Sequence, residues 1–204
     1  MADVKVIWVG KNSDLAVVVA DVSGNDGIDS VVEAAGSAKQ KAKLVMTMVP
    51  QECMEQCLYK LQPVCDAVVP LKSDDKAEEA AKYADCLRPI VDNEGLMCLD
   101  LDDFASILSN DKIANAGYGE ASGDKAIFDA TILALGDLPG DYKEKPANFM
   151  ILMTEKKASQ PDVQAVLEHI SSQVNQDSNI IYGFYDNNKL SEGAVVFILA
   201  TKCQ

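Results

Sequence analysis

Four short valine-rich runs, separated by polar segments with helical spacing, constrain the first half of this chain more than anything else in it. Val4 to Val9, Leu15 to Val19, Leu44 to Val49 and Ala67 to Val69 are bounded by Gly, Asp or Pro, as strands buried on both faces should be. Between them, Ile28 to Lys41, Gln51 to Leu61 and Asp74 to Leu87 read as helices, the last with Ala80, Ala81, Ala84 and Leu87 at helical spacing. Strand-helix alternation of this kind predicts an α/β fold with a parallel, doubly wound sheet. Pro89 is expected to stop the third helix, because its ring removes a donor and disfavours helical geometry just before it.

The second half follows a different order. Helices are expected over Asp103 to Ser109 and Asp124 to Leu135, then a loop over Gly136 to Pro146. A strand at Phe149 to Met153 follows, then a helix at Pro161 to Val174 with Val163, Val166, Leu167, Ile170 and Val174 on one face. Ile180 to Tyr185 and Ala194 to Ala200 are the closing strands, joined by a turn at Asp186-Asn187-Asn188. This pattern predicts an α+β module. The expected division is therefore 1–94 and 95–204.

The stretch between the halves holds the densest chemistry. Asp100, Asp102 and Asp103 precede the apolar ladder Phe104, Ile107 and Leu108, a position where a helix N-terminus stabilises carboxylates. Gly117 to Gly123 reads as a turn, with Ser122 or Asp124 available to cap the next helix.

Composition removes whole classes of function. A formal net charge of −14 repels nucleic acid and anionic membrane surfaces and lacks the basic footprint that phosphate-backbone binding requires. No apolar stretch approaches the length of a membrane helix, and no segment resembles a signal peptide, so the six cysteines are expected as free thiols in a reducing cytoplasm. Cys53 and Cys57 lie four apart on an expected helix, a spacing open to metal, but the chain has a single histidine, His169, and no second Cys-x-x-Cys pair. His169 has no acid or nucleophile partner in sequence, and it reads as structural or exposed.

Two motifs then carry a resemblance. GLMCLDLDDFASIL, Gly95 to Leu108, resembles the loop and helix that in FtsZ, and more distantly tubulin, project into the nucleotide site of the next subunit. GYGEASGDKAIFDATILAL, Gly117 to Leu135, resembles the G-x-A-x-G-x-x-R-A segment that follows it in that family. The resemblance implies an FtsZ/tubulin-like fold: a truncated doubly wound parallel sheet of the nucleotide-binding type, followed by a smaller α+β domain. It also makes Asp100 and Asp103 the family's catalytic acids, which polarise the water that attacks the neighbouring subunit's γ-phosphate. Cys98 stands where the family's protruding loop has Asn.

The first half departs from the family where nucleotide would bind. A phosphate cradle needs consecutive glycines, so that backbone N–H groups can approach the phosphates. At the position of the family's G-G-G-T-G-T-G, this chain has Asp21-Val22-Ser23-Gly24-Asn25-Asp26-Gly27-Ile28-Asp29. Only Gly24 and Gly27 remain as candidate cofactor-binding residues. A carboxylate about 4 Å from a phosphate charge costs about 1 kcal/mol in water and about 4 at an effective dielectric near 20, and Asp21, Asp26 and Asp29 bring three. Lys11-Asn12-Ser13 replaces a glycine-rich loop, several strand-helix units are missing, and Val69-Pro70-Leu71-Lys72 replaces the Pro-Asn-Asp that reads guanine in the family.

The sequence therefore implies an FtsZ-like structural protein without GTP hydrolysis or a required cofactor, acting in cell division or cytoskeletal organisation by association with itself or with an FtsZ-type partner. One alternative is an active GTPase that polymerises with GTP and Mg. A second is a calcium- or small-ligand-binding module in which Asp21, Ser23, Asn25 and Asp29 supply oxygen ligands, although Val32 stands at the closing position that calcium loops give to Glu.

Overall fold

A computed structural model describes residues 3–10, 14–21, 25–92, 97–108, 112–140, 142–155, 160–186 and 193–203. Lys11-Asn12-Ser13, Ser23, Gly24, Gly95, Ser109 and Asn187-Asn188 lie outside the described residues, as do the side chains of Asp21, Asn25, Asp26 and Asp186. The chain divides into two compact units, Met1–Asp92 with Asn110–Ala114, and Asn93–Ser109 with Asn115–Gln204. The return of the chain to the first unit has no signature in the sequence pattern.

In the first unit, strands β1 (Asp3–Val9), β2 (Leu15–Asp21), β3 (Leu44–Pro50) and β4 (Ala67–Leu71) form one sheet in that order. Helices α1 (Asn25–Lys39) and α2 (Met54–Leu61) connect β2 to β3 and β3 to β4, and these pairs are parallel. β1 and β2 pair antiparallel instead, so the sheet is mixed, where the alternation predicts a wholly parallel one. The reason is chain length. Only Gly10 to Asp14 join the two strands, whereas a parallel crossover needs about a dozen residues.

Burial is continuous along β2 to β4. Ala16, Val18, Ala20, Val45, Val49 and Val68 pack under α1 and α2 with Val31, Ala35, Cys57 and Leu61. The alternate residues Val17, Met46, Met48 and Val69 are buried as well, so β2 to β4 are covered on both faces as their continuous apolar runs require. β1 is covered less, with Lys5 and Trp8 exposed. Helix α3 (Lys76–Asp92) runs through Pro89 instead of ending before it. Leu87 and Ile90 on either side of the proline are buried, and this burial offsets the lost donor.

The second unit opens with α4 (Leu101–Ile107) and closes a second sheet of β5 (Asn115–Ala121), β6 (Ala147–Glu155), β7 (Asn179–Asp186) and β8 (Ala194–Lys202), ordered β5-β8-β6-β7. β8 pairs antiparallel with both neighbours, while β6 and β7 are parallel across α6 (Gln160–Gln173). Helices α5 (Ala126–Asp137) and α6 cover one face, with Ala126, Ala130, Ala134, Val166 and Ile170 packed on Phe149, Ile151, Val196 and Ile198.

Gly117 to Ala121 are strand β5, a correction to the turn that their glycines suggest. A Cβ at Gly117 would lie 2.2 Å from the Ala134 carbonyl oxygen, and one at Gly119 would lie 2.0 Å from that of Ala130. These glycines let α5 lie directly on the strand. The turn proper is confined to Ser122 to Lys125, where Gly123 has φ +104. Neither Ser122 nor Asp124 caps α5: Lys125 is the N-cap and makes no side-chain cap bond, and Ala126 N donates to the Gly123 carbonyl at 3.1 Å.

Candidate functional site

Asp100 sits at the N-cap of α4 in extended conformation, φ −116 and ψ −176. Its Oδ1 accepts hydrogen bonds from Asp102 N at 2.8 Å and from Asp103 N at 2.9 Å. Asp103 Oδ2 accepts from Asp100 N at 3.0 Å, closing a reciprocal capping box with aspartate in the place usually held by glutamate. Phe104 and Ile107 anchor the helix in the core, and the Thr201 hydroxyl donates to the Ile107 carbonyl.

The segment before the acids is fixed to β7. Met97 and Phe184 exchange backbone hydrogen bonds at 2.8 and 3.2 Å, and Leu99 N donates to the Tyr185 hydroxyl at 3.0 Å. Burial pushes the Tyr185 phenol above its ordinary pKa, so it stays neutral. Asp100 and Asp102 are exposed and Asp103 is partly buried. Each carboxylate still has oxygen lone pairs beyond those used in the cap, so the loop can present acceptors to a cation, a water or another chain. Asp100→Ala should cost about 1 kcal/mol in urea unfolding and leave the fold intact, because it removes a cap and not a core contact. Asp103→Ala, which removes one bond to the Asp100 amide, should cost less. Losses several times larger in both would show the acids to be buried structure.

At the other candidate region, α1 begins at Asn25, so Gly27 lies in the first turn of a helix and is buried. Gly24 is outside the described residues, and Gly27 alone does not define a phosphate cradle. Asp29 is exposed and its carboxylate pairs with the Lys60 ammonium of α2 at 2.6 Å. Asn25 and Asp29 thus share a helix, where the calcium reading requires a continuous loop, and Val32 packs against the helix-covered core.

The end of the sheet near Lys72 is held by a residue that sequence reasoning missed. Glu79, 9 % exposed, accepts from Lys72 N and Ser73 N, both at 2.8 Å, through Oε2. Its Oε1 accepts from the Tyr83 hydroxyl at 2.7 Å. The spacing of Glu79 and Tyr83 on an otherwise apolar face was the available signal. Beside this segment, a cavity of about 530 Å³ is lined by Lys5, Ile7, Val19, Asp74, Asp75 and Lys76.

Among the described residues the thiols join no cluster of three metal-ligating side chains. Cys57 is buried and its pKa is pushed up to about 11, by burial first and by the neighbouring Cys53 second. No group of three His, Cys, Asp or Glu among the described residues is placed to hold a metal ion. His169 makes a tilted ring contact with Phe128, centroids 5.0 Å apart.

Comparison with solved structures decides the architecture. An empty FtsZ dimer from M. jannaschii matches with TM-score 0.71 at 19% identity, covering 94% of this chain and 64% of that one. The fold is that of FtsZ, in shortened form. CetZ from Methanosaeta thermophila matches with TM-score 0.68 at 17% identity, covering 93% of this chain and 61% of that one. In sequence, the cell division protein FtsZ 1 of Halobacterium salinarum is 22% identical over 217 residues, covering 93% of this chain and 55% of the relative. FtsZ of Methanothermobacter thermautotrophicus is 23% identical over 203 residues, covering 85% and 53%. The chain thus spans about half the length of these FtsZ relatives. No family model matches it. No helix among the described residues is long and apolar enough to cross a membrane.

Proposed function

We propose that this chain is an FtsZ-like structural protein that assembles with itself or with an FtsZ-type partner, in cell division or cytoskeletal organisation, and does not hydrolyse GTP. The observation that carries the reading is the contrast between the two candidate regions. The segment from Met97 to Asp103 is docked on β7 and presents its acids, as an assembly loop should. At the β2–α1 junction, Gly27 lies within a helix and Asp29 is bound to Lys60. In a head-to-tail contact, Asp100, Asp102 and Asp103 of one copy face the Asp21 to Asp29 segment of the next, and such a contact continues without closing. With no triphosphate between them these acids repel, so divalent cations or raised salt should strengthen assembly.

A second reading, a GTP-binding polymer former using Mg, is favoured by the cavity beside Lys72 to Ala77 and by the match to CetZ2 from Haloferax volcanii, a GTPγS-bound protofilament, with TM-score 0.64. Calorimetry with GTP, with and without magnesium, run beside light scattering, separates the two. The structural reading expects at most weak heat and assembly that responds to divalent cations without needing nucleotide. Dissociation constants in the low micromolar range (about 8 kcal/mol of binding), with scattering that appears only with GTP, would establish the second.

A further inference from the structure

Four strands stand at the ends of the two sheets, and three of them are blunted. β4 is bridged from Val68 to Ile113, with Val68 N donating to Lys112 O at 2.7 Å and Ala114 N donating to Val68 O at 3.0 Å. β7 is bridged from Phe184 to Met97. On β5, Tyr118 N donates to the Asp137 carboxylate at 3.0 Å. β1 has no such cover among the described residues, and it reads DVKVIWV. The unpaired backbone of an end strand is a template for another strand, and a charge such as Lys5 blocks that pairing unless a carboxylate receives it.

We propose that β1 pairs antiparallel with β1 of a second copy, about a two-fold axis through Val6, to give a continuous eight-stranded sheet. Charge and register select this occupant. Apart from Asp3 at its first position, β1 carries a lysine and no other charge in a chain of net charge −14, so this edge is where two acidic copies can approach. An axis through Val6 sets Val4 opposite Trp8 of the second copy, and Lys5 opposite Ile7. Val4 and Val6 already pack on the helix-covered core, and Trp8 is 37 % exposed, so the pairing covers apolar surface on that face. On the other face, Lys5 of the second copy arrives beside Ile7, at a cavity that already holds the first copy's own Lys5 and whose Asp74 and Asp75 supply one carboxylate for each of the two lysines. Lys76, which also lines it, has its ammonium 3.8 Å from the Glu52 carboxylate. An axis through Lys5 would instead oppose two lysines, which is unfavourable.

Such a contact is small, so the dimer belongs to the weak, reversible class. It is closed at two copies, unlike the head-to-tail contact, and the two are therefore separable. Sedimentation at increasing concentration, near physiological salt so that long-range repulsion is screened beyond about 8 Å, should show a monomer–dimer equilibrium. The emission of Trp8, the chain's only tryptophan, should shift to the blue in step with it. Lys5→Glu should weaken the dimer at least about tenfold with unchanged thermal unfolding, since Lys5 is exposed. Adding Asp74→Lys should restore it. Asp100→Ala, which touches only the head-to-tail contact, should leave the dimer as it is. The proposal is overturned if the chain stays monomeric across the series, if Trp8 emission does not follow association, or if Lys5→Glu dimerises as the unchanged chain does.

Discussion

Gly119→Ala should destabilise the second unit by about 3 kcal/mol, the upper end of the range for overpacking. The added methyl would lie 2.0 Å from Ala130 O, 2.7 Å from Ala134 N and 2.9 Å from Ala130 C. All three are helix backbone atoms, so no side chain can swing away, and the strand and α5 must separate. Gly36→Ala is the control, because it sits in α1 with Val64 Cγ1 as its nearest neighbour at 3.9 Å. It should stabilise by up to about 1 kcal/mol through helix propensity. Thermal and urea unfolding of both variants reads the difference directly. A Gly119→Ala protein within about 0.5 kcal/mol of the unchanged chain would mean that α5 does not rest on β5 as described.

Glu79→Ala should cost about 2–4 kcal/mol. It removes the acceptor that the part-buried Lys72 and Ser73 amides and the buried Tyr83 hydroxyl share, and a buried donor that loses its acceptor costs more than the bond itself contributed. Glu79→Gln should cost only about 1 kcal/mol, because the amide oxygen can still accept from the two N–H groups while its NH₂ donates to Tyr83. The ordering Ala worse than Gln is the informative part. Equal losses would show that charge, not hydrogen-bond geometry, holds the segment. Proteolysis near Lys72 should rise in the alanine variant more than in the glutamine one, since this carboxylate accepts both amides that follow β4.

The acids of α4 were legible because a capping position is local. Asp100 and Asp103 lie within one turn of each other, and the apolar ladder that begins at Phe104 marks where the helix must start. The candidate phosphate region was legible only as a loss of glycines. The pairing of Asp29 with Lys60 joins residues on two helices, and nothing in the order of residues announces it. Glu79 escaped notice for a related reason. Its place on the face of Ala80, Tyr83, Ala84 and Leu87 signals burial, but the two amides it receives from Lys72 and Ser73 are seen only in the tertiary structure.

The sequence by itself determined the parallel β2-α1-β3-α2-β4 core, the existence of β6, α6, β7 and β8, and the resemblance to FtsZ carried by residues 95–135, because hydrophobic period and capping act over a few residues. Only the tertiary structure decided three things. β1 turned antiparallel, because Gly10 to Asp14 are too few for a crossover once both strands must share one sheet. Pro89 stayed inside α3, because the burial of Ile90 outweighs a lost donor. Gly117 and Gly119 became strand, because the same freedom that lets glycine turn also removes the Cβ that would hold α5 away, and which of the two is used depends on a helix that begins several residues further on.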